Sequence, residues 1–164
     1  MLDGNSNPAL IATSIWDILA WNAAATALFG DFSAIPAHQR NTLRLMFAPG
    51  ARERTIDWEH HARGVVALFR AETVRIGATD RAALLVDDLS RSSPEFAAMW
   101  SEQNLAARGP GVKRIAHGGG ILTFEYASFA VHGHADLQMI VYTPSTPNDA
   151  AQLRELLRES GQQV

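Results

Sequence analysis

The sequence predicts an α+β domain in which about five strands form one antiparallel sheet and helices pack mainly on one of its faces. Two short strand patterns near the N-terminus precede a helical middle, and three further strand patterns follow residue 110. Leu122, Phe124 and Tyr126 alternate with Thr123 and Glu125, which is typical of a strand with one buried face. Both strand groups can therefore join one sheet that buries a single face against the helices.

The first elements are two strands and a short helix. Strands are predicted near 10–13 and 17–21, where aliphatic and tryptophan side chains suit a half-buried strand. A helix is predicted over 22–29, because the Asn22 side chain can accept from free N–H groups of the first turn. Gly30 can take the left-handed conformation that ends many helices.

Four more helices are predicted in the middle of the chain. The first covers 37–48, and a long one lies within 51–76, where apolar residues recur at helical spacing. The third begins at Thr79 or Asp80, either of which can cap it. The fourth begins at Ser92-Ser93-Pro94-Glu95, which combines a capping hydroxyl with a proline in the first turn.

The C-terminal part reads as a three-stranded meander followed by a helix. Strands are predicted over 112–117, 121–127 and 137–142. The turns between them are expected at Gly118-Gly119-Gly120 and over 132–136. A last helix begins after the capping sequence Thr146-Pro147-Asn148-Asp149.

Composition indicates one globular domain. The chain has 164 residues, of which 47% are hydrophobic and 19% charged, which is enough for one core and too little for two. We interpret residues 1–9 as a linker remnant, 10–160 as the domain and 161–164 as a tail.

Charge and residue usage exclude several functional classes. A net charge of -3 does not supply the basic face of a stand-alone DNA-binding domain. The absence of cysteine excludes disulfides, thiolate metal sites and a cysteine nucleophile. No apolar run approaches membrane-spanning length, and no signal-peptide layout opens the chain, so we predict a cytoplasmic protein.

Five stretches, in this order, resemble the ligand-binding domain of MmyB-like transcription regulators over nearly the whole chain. They are Trp16–Asn22, Arg40–Phe47, Asp57–Glu59, Leu89–Phe96 with Trp100, and Lys113–His117. The resemblance implies a PAS-like fold that holds a fatty-acid-like molecule in an apolar cavity. It also implies an upstream helix-turn-helix domain that reads DNA. The sequence contains no such domain, and it has His117-Gly118 where the family has His-Pro.

Two polar residues of the second predicted helix are candidates for ligand contact. Asn41 and Arg44 are three residues apart, so they share one helix face with Leu45. The planar guanidinium of Arg44 could hold a carboxylate at the polar end of a cavity. The alternatives are that Arg44 pairs with a surface acid or caps a neighbouring helix, and that Asn41 bonds to loop backbone.

Large aromatic residues are candidates for the cavity wall. Trp21, Phe47, Trp58 and Trp100 are core residues by default, but such side chains can also line a large cavity between the sheet and the helices. Arg114, on a predicted strand, is a candidate second anion anchor. The alternative is that Arg114 lies on the solvent side of the sheet.

The favoured hypothesis is a ligand-sensing domain of a helix-turn-helix regulator that binds a fatty acid or similar apolar molecule. The alternative is a ligand-free PAS-like module for dimerisation or interaction. We predict no enzymatic activity, because no acid–base pair stands at a meaningful spacing. We further predict no metal and no cofactor other than a bound fatty acid. A homodimer is compatible with either hypothesis. The protein would contact DNA only through an upstream domain, and we expect no contact with a membrane.

Overall fold

The computed structural model describes residues 2–77, 79–103 and 111–161 of the chain. Five strands form one open sheet in the order β2-β1-β5-β4-β3, and all neighbouring strands are antiparallel. The strands are β1 (Ala9–Thr13), β2 (Ile18–Trp21), β3 (Gly111–His117), β4 (Gly120–Val131) and β5 (His134–Pro144). The N-terminal and C-terminal strands therefore share one sheet, which confirms the predicted α+β, PAS-like class.

Seven α-helices accompany the sheet in the described part of the chain. They are α1 (Ala23–Phe29), α2 (Thr42–Met46), α3 (Ala51–Arg54), α4 (Trp58–Ile76), α5 (Asp80–Ser92), α6 (Pro94–Ser101) and α7 (Pro147–Gly161). Short 3₁₀ turns cover Leu2–Gly4, Phe32–Ala34 and Ala37–Gln39. No helix of the described segments is long and apolar enough to cross a membrane.

Local capping chemistry starts several of these helices where the sequence predicts. The Asn22 side chain accepts from the N–H of Ala25 at 2.9 Å, and the Thr79 hydroxyl accepts from Ala82 at 3.1 Å. The Ser93 hydroxyl accepts from the N–H of Phe96 at 3.1 Å, directly before Pro94. These bonds satisfy N–H groups that a helix start leaves without an internal partner.

Two predicted helices are shorter than the sequence indicates. The pattern over 37–48 resolves into a 3₁₀ turn and α2, because extended Asn41 stands between them and bridges to Asp17. The pattern within 51–76 is broken between α3 and α4, where Thr55 pairs with Ile115 of β3. This pairing joins Thr55 to a strand that lies far away along the chain, and it overrides the helical periodicity at this point.

The meander is longer than predicted, and its turns are tight. The second and third strands of the meander extend to 120–131 and 134–144, so the predicted turn over 132–136 contracts to its first two residues. Between β3 and β4, Gly118 has a φ of 55° and Gly119 a φ of 81°. A proline at 118 could not adopt that φ, because its ring holds φ near about -65°. The glycine at this position therefore permits a turn different from that of the family's His-Pro.

Buried side chains form two clusters with space between them. One cluster lies among α2–α6 and includes Leu43, Phe69 and Phe96. The other joins the sheet to α1 and α7 and includes Phe124 and Leu153. The helices α2–α6 thus have one packed core, and the sheet with α1 and α7 has another. The candidate site lies in the space between these two cores.

Candidate functional site

Two adjoining cavities lie between the sheet and the helices. The smaller has a volume of about 150 Å³ and the larger about 510 Å³. Residues from both clusters line them, including Leu10 of the sheet cluster and Met46 of the helical cluster. The residues that line both cavities, and so mark the boundary between them, are Thr42, Met46, Lys113 and Tyr142.

The sheet register places a lysine on the cavity face. Lys113 pairs with Phe124 of β4, and it alternates along β3 with Gly111 and buried Ile115. Alternate strand residues share a face, so Lys113 points the same way as Ile115. All three of these β3 residues line one or both cavities.

The ammonium of Lys113 forms no ion pair with any residue that the structure describes. No carboxylate of the described residues lies within 4.0 Å of Nζ, which instead lies 5.1 Å from the ring centroid of Phe29. Burial, with a smaller contribution from the charge of Arg54, lowers the pKa of Lys113 to about 8. The side chain is therefore a half-buried cation that lies against an aromatic ring and lines both cavities.

Uncharged polar groups surround this cation. The rings of Tyr126 and Tyr142 lie 5.6 Å apart on neighbouring strands, and burial raises the pKa of both phenols. His61 of α4 lies 6.0 Å from the Tyr126 ring. Burial, aided by the charge of Lys113, lowers the pKa of His61 to about 4, so this imidazole is neutral near pH 7 and adds no charge.

One buried hydroxyl at the boundary is unsatisfied. Thr42 lines both cavities, and its Oγ1 is buried without a hydrogen-bond partner among the described residues. Buried polar atoms in native proteins nearly always have a partner. Together with Lys113, this hydroxyl makes the boundary a place where a polar ligand group would gain contacts that the protein does not supply.

A glycine allows an aromatic ring to cover one end of the larger cavity. Gly111 pairs with Tyr126, and a Cβ added at Gly111 would lie 2.0 Å from Cζ of that ring. Only glycine leaves room for Tyr126 in this position. Both residues line the larger cavity.

The structure does not bring Arg44 into either cavity. Its Nη2 lies 2.8 Å from Oδ2 of Asp88 at the surface, which is the pairing with a surface acid that the sequence left as an alternative. Asn41 is fully buried and caps α2 by accepting from Leu43 and Arg44. Its amide also donates to the carbonyl of Ile15 at 2.8 Å and to the carboxylate of Asp17 at 2.9 Å. The bonds to backbone agree with the alternative for this residue.

The four candidate aromatic residues pack within the two cores and do not line the two cavities. Phe47 contacts both Trp58 and Phe96 edge to face, and Trp100 stacks on Phe96. The Trp58 indole donates to the Met46 carbonyl at 2.8 Å. In the other core, Trp21 packs edge to face on Phe32, and neither is part of the helical cluster.

Arg114 lies on the opposite side of β3 from Lys113. Its Nη1 donates to Asp57 at 2.8 Å, and 42% of its side chain is exposed. This placement agrees with the solvent-side alternative. Alternation along this strand could have indicated Lys113, because Lys113 and Ile115 share the strand face opposite to Arg114.

The arrangement is suited to binding and offers little for metal chemistry. Within the described segments, no group of three or more His, Asp or Glu side chains could hold a metal ion. The cavities combine an apolar wall with one cation and several neutral hydrogen-bonding groups, which is the usual chemistry of a small-molecule site.

The family model of the MmyB-like transcription regulator ligand binding domain matches residues 1–156. The chain belongs to this family. Membership confirms the resemblance found in the sequence. The MmyB-like family consists of ligand-binding domains of transcription regulators and is not an enzyme family, which confirms the prediction that the chain is not an enzyme. No match is found among curated proteins.

Proposed function

We propose that this MmyB-like domain binds a fatty acid or a similar amphiphilic carboxylate, and that Lys113 holds the carboxylate. The observation that carries the proposal is the position of the half-buried Lys113 ammonium at the boundary of the two cavities, without an ion pair to any described residue. An isolated buried charge is costly, and an anion within hydrogen-bond distance offsets that cost. We thus give Lys113 the role for which Arg44 was one candidate in the sequence.

The electrostatics of the cavities favour an anion over a neutral ligand. Arg54 lines the smaller cavity and adds a second positive charge near Lys113. Glu72 is the one acidic residue of the described segments that lines either cavity. It lines the larger one and accepts a hydrogen bond from the Trp16 indole at 2.7 Å. The boundary between the cavities therefore has a positive local charge.

Apolar walls would supply the remaining affinity. Leu10, Leu28 and Phe32 line the smaller cavity, and Val65 and Leu68 line the larger. Burial of each CH₂ group contributes about 0.8 kcal/mol before the costs of binding. Binding would select one arrangement of the protein and so bias an attached helix-turn-helix domain. A regulator of this kind would act in the cytoplasm.

The test compares two cation-to-methionine variants by titration calorimetry with decanoate at pH 7. Lys113→Met should weaken binding by about 1.5–3 kcal/mol, the usual value of a hydrogen bond to a charged group. The matched control is Arg44→Met, which removes a cation outside the cavities and should leave the affinity unchanged. Unaltered decanoate affinity in Lys113→Met would contradict the assignment.

One observation favours the alternative of a dimerisation module. Large apolar side chains are exposed on the sheet face opposite to the cavities, among them Phe129 at 53% and Val112 at 52%. Phe129 pairs with Met139, which pairs in turn with Ile11, so an apolar row crosses three strands. A second copy could cover this row.

Light scattering of the ligand-free chain would test this alternative. If a homodimer forms through the sheet, Phe129→Lys should convert it to a monomer, whereas Leu84→Lys should not. Leu84 is a suitable control, because it is 64% exposed on α5, away from the sheet. A native chain that is monomeric at high concentration would exclude the dimer.

A further inference from the structure

One buried side chain bonds both to the N-terminal segment, residues 2–8, and to helix α1. Asn22 stands between β2 and α1 and is 2% exposed. Its side-chain oxygen accepts from the N–H groups of Ala9 and Ala25, at 3.0 and 2.9 Å. Its amide donates to three backbone carbonyls of the segment, those of Leu2, Asn5 and Asn7, at 3.3, 2.9 and 2.8 Å. The segment is therefore held by the same side chain that begins α1.

Most other hydrogen bonds of this segment are internal to it. The N–H of Asn5 donates to the Leu2 carbonyl at 3.1 Å, and the N–H of Asn7 donates to the Asn5 side chain at 3.0 Å. Among the described residues, Asn22 is the one outside the segment that bonds to residues 2–7. The position of these residues against the domain therefore depends on the position of Asn22.

The other end of α1 lies at the proposed anion site. Leu28 and Phe29 line the smaller cavity. The centroid of the Phe29 ring lies 5.1 Å from Nζ of Lys113 and 4.9 Å from the ring of Tyr142. Lys113 and Tyr142 are two of the residues that line both cavities. A carboxylate bound by Lys113 would accordingly lie close to the C-terminal end of α1.

The helix connects these two ends directly. The N–H of Thr26 donates to the Asn22 carbonyl at 3.1 Å, and the N–H of Gly30 donates to the Thr26 carbonyl at 2.9 Å. Since α1 has only seven residues, it is too short to be stable by itself, and its position depends on what packs against it. A ligand in the smaller cavity would add contacts to Leu28 and Phe29. The ligand and the N-terminal segment would thus favour the same position of α1.

We propose that Asn22 couples the ligand site to the N-terminal segment, so that a carboxylate bound beside Lys113 favours the state in which Asn22 holds residues 2–8. This inference rests on the proposed function, because it takes the ligand to lie at Lys113. Asn22 lines neither cavity, so it acts on the ligand only through α1 and is a positioning residue. Coupling between two sites is reciprocal, so the held segment raises ligand affinity by the same factor by which the ligand favours the held segment.

Hydrogen exchange followed by nuclear magnetic resonance measures whether the segment is held. The N–H groups of Asn5 and Asn7 bond within the segment, so they should exchange when the segment leaves Asn22. Saturating decanoate at pH 7 should slow their exchange by about fivefold or more, which is the lower end of usual coupling between sites. Exchange at Ala82, whose N–H bonds to Thr79 at the start of α5, should not change.

Two variants remove the amide donor and keep a capping group at the start of α1. Asn22→Asp is isosteric and retains an accepting oxygen, and Asn22→Ser adds no charge; aspartate and serine are both good capping residues. In each variant, Asn5 and Asn7 should exchange rapidly with or without decanoate. Decanoate affinity, measured by titration calorimetry, should fall by about the factor of protection that the ligand gives the native chain.

The matched control makes the same chemical change at another helix start. Asn148→Asp alters an exposed residue in the first turn of α7, and it should change neither the exchange of the segment nor the decanoate affinity. A general effect of added negative charge would appear in this control as well as in Asn22→Asp.

The outcomes distinguish this inference from the proposed function. Unchanged exchange at Asn5 and Asn7 in the native chain at saturating decanoate would overturn the inference, whatever the variants do. Unaltered decanoate affinity in both Asn22 variants would overturn it as well, and either result would leave Lys113-dependent binding in place. Absence of decanoate binding, or binding that Lys113→Met does not weaken, would instead overturn the proposed function itself.

Discussion

Replacement of Lys113 by methionine should stabilise the ligand-free protein while it weakens ligand binding. Methionine keeps an unbranched, flexible stem of similar length but carries no charge. In the folded chain the ammonium is desolvated and meets no carboxylate among the described residues, whereas in the unfolded chain water solvates it. The substitution therefore removes an unfavourable charge from the folded state alone.

The expected size of the effect follows from the two pKa values. Lys113 has a pKa of about 8 when folded, against an ordinary value of 10.5. At about 1.4 kcal/mol for each pH unit between the two values, the charged form costs the folded state at most about 3 kcal/mol. The cost is smaller to the extent that water reaches the half-buried side chain. Below pH 8 the lysine is protonated in both states, so the full cost is present. Above about pH 8 the folded state releases its proton first, and stability rises with pH until the unfolded chain also titrates.

Urea unfolding of the ligand-free chain at pH 7 and pH 9.5 measures this difference. Lys113→Met should raise the free energy of unfolding at pH 7 by up to about 3 kcal/mol, and by clearly less at pH 9.5. The control is Arg114→Met, which removes the neighbouring cation from the solvent side and should cost about 1 kcal/mol or less. A Lys113→Met protein that is less stable at pH 7, or whose advantage does not change with pH, would refute the reasoning.

Three further predictions concern the same site and its supports. Carboxylate affinity should be constant between about pH 6 and 7.5 and should fall above about pH 8, because Lys113 of the ligand-free protein then loses its proton. Titration calorimetry should find no such decline in Lys113→Met. Gly111→Ala should displace the Tyr126 ring and lower ligand affinity, with little change in far-ultraviolet circular dichroism; unchanged affinity would show that the ring adapts freely. Asn41→Ala should lower the free energy of unfolding by about 2–3 kcal/mol, because it removes a helix cap and leaves the buried Ile15 carbonyl unsatisfied. A loss of less than about 0.5 kcal/mol, the value for a surface substitution, would contradict this.

Much of the fold was predictable because its signals are local. Capping groups such as Asn22 and Ser93 bond to N–H groups within three residues, so the sequence alone contains both partners. Alternation along β4 likewise predicts which strand face is buried. The breaks in the middle helices were not predictable in this way, because Thr55 and Asn41 leave the helical conformation to pair with distant segments.

The cations Arg44 and Lys113 show where prediction from the sequence stops. Arg44 and Lys113 are both cations beside apolar residues in the sequence. Strand alternation places Lys113 on the face opposite to Arg114, but it does not say which face the helices cover. Arg44 lies on a helix of five residues beside Asp88, where solvent and an ion pair satisfy its charge. Lys113 lies half-buried on the covered face of the sheet, where it forms no ion pair with any described residue.

The sequence by itself determined the α+β class, the positions of most strands and helix starts, and the MmyB-like family, since each depends on residues close together or on an ordered set of short motifs. Only the tertiary structure decided which polar groups line the cavities. Burial of Lys113 depends on the register of β3 against β4 and on helices from a different part of the chain closing over that face. Whether a charge is desolvated depends on everything packed around it, so the position of Lys113 beside both cavities is visible only in the complete fold.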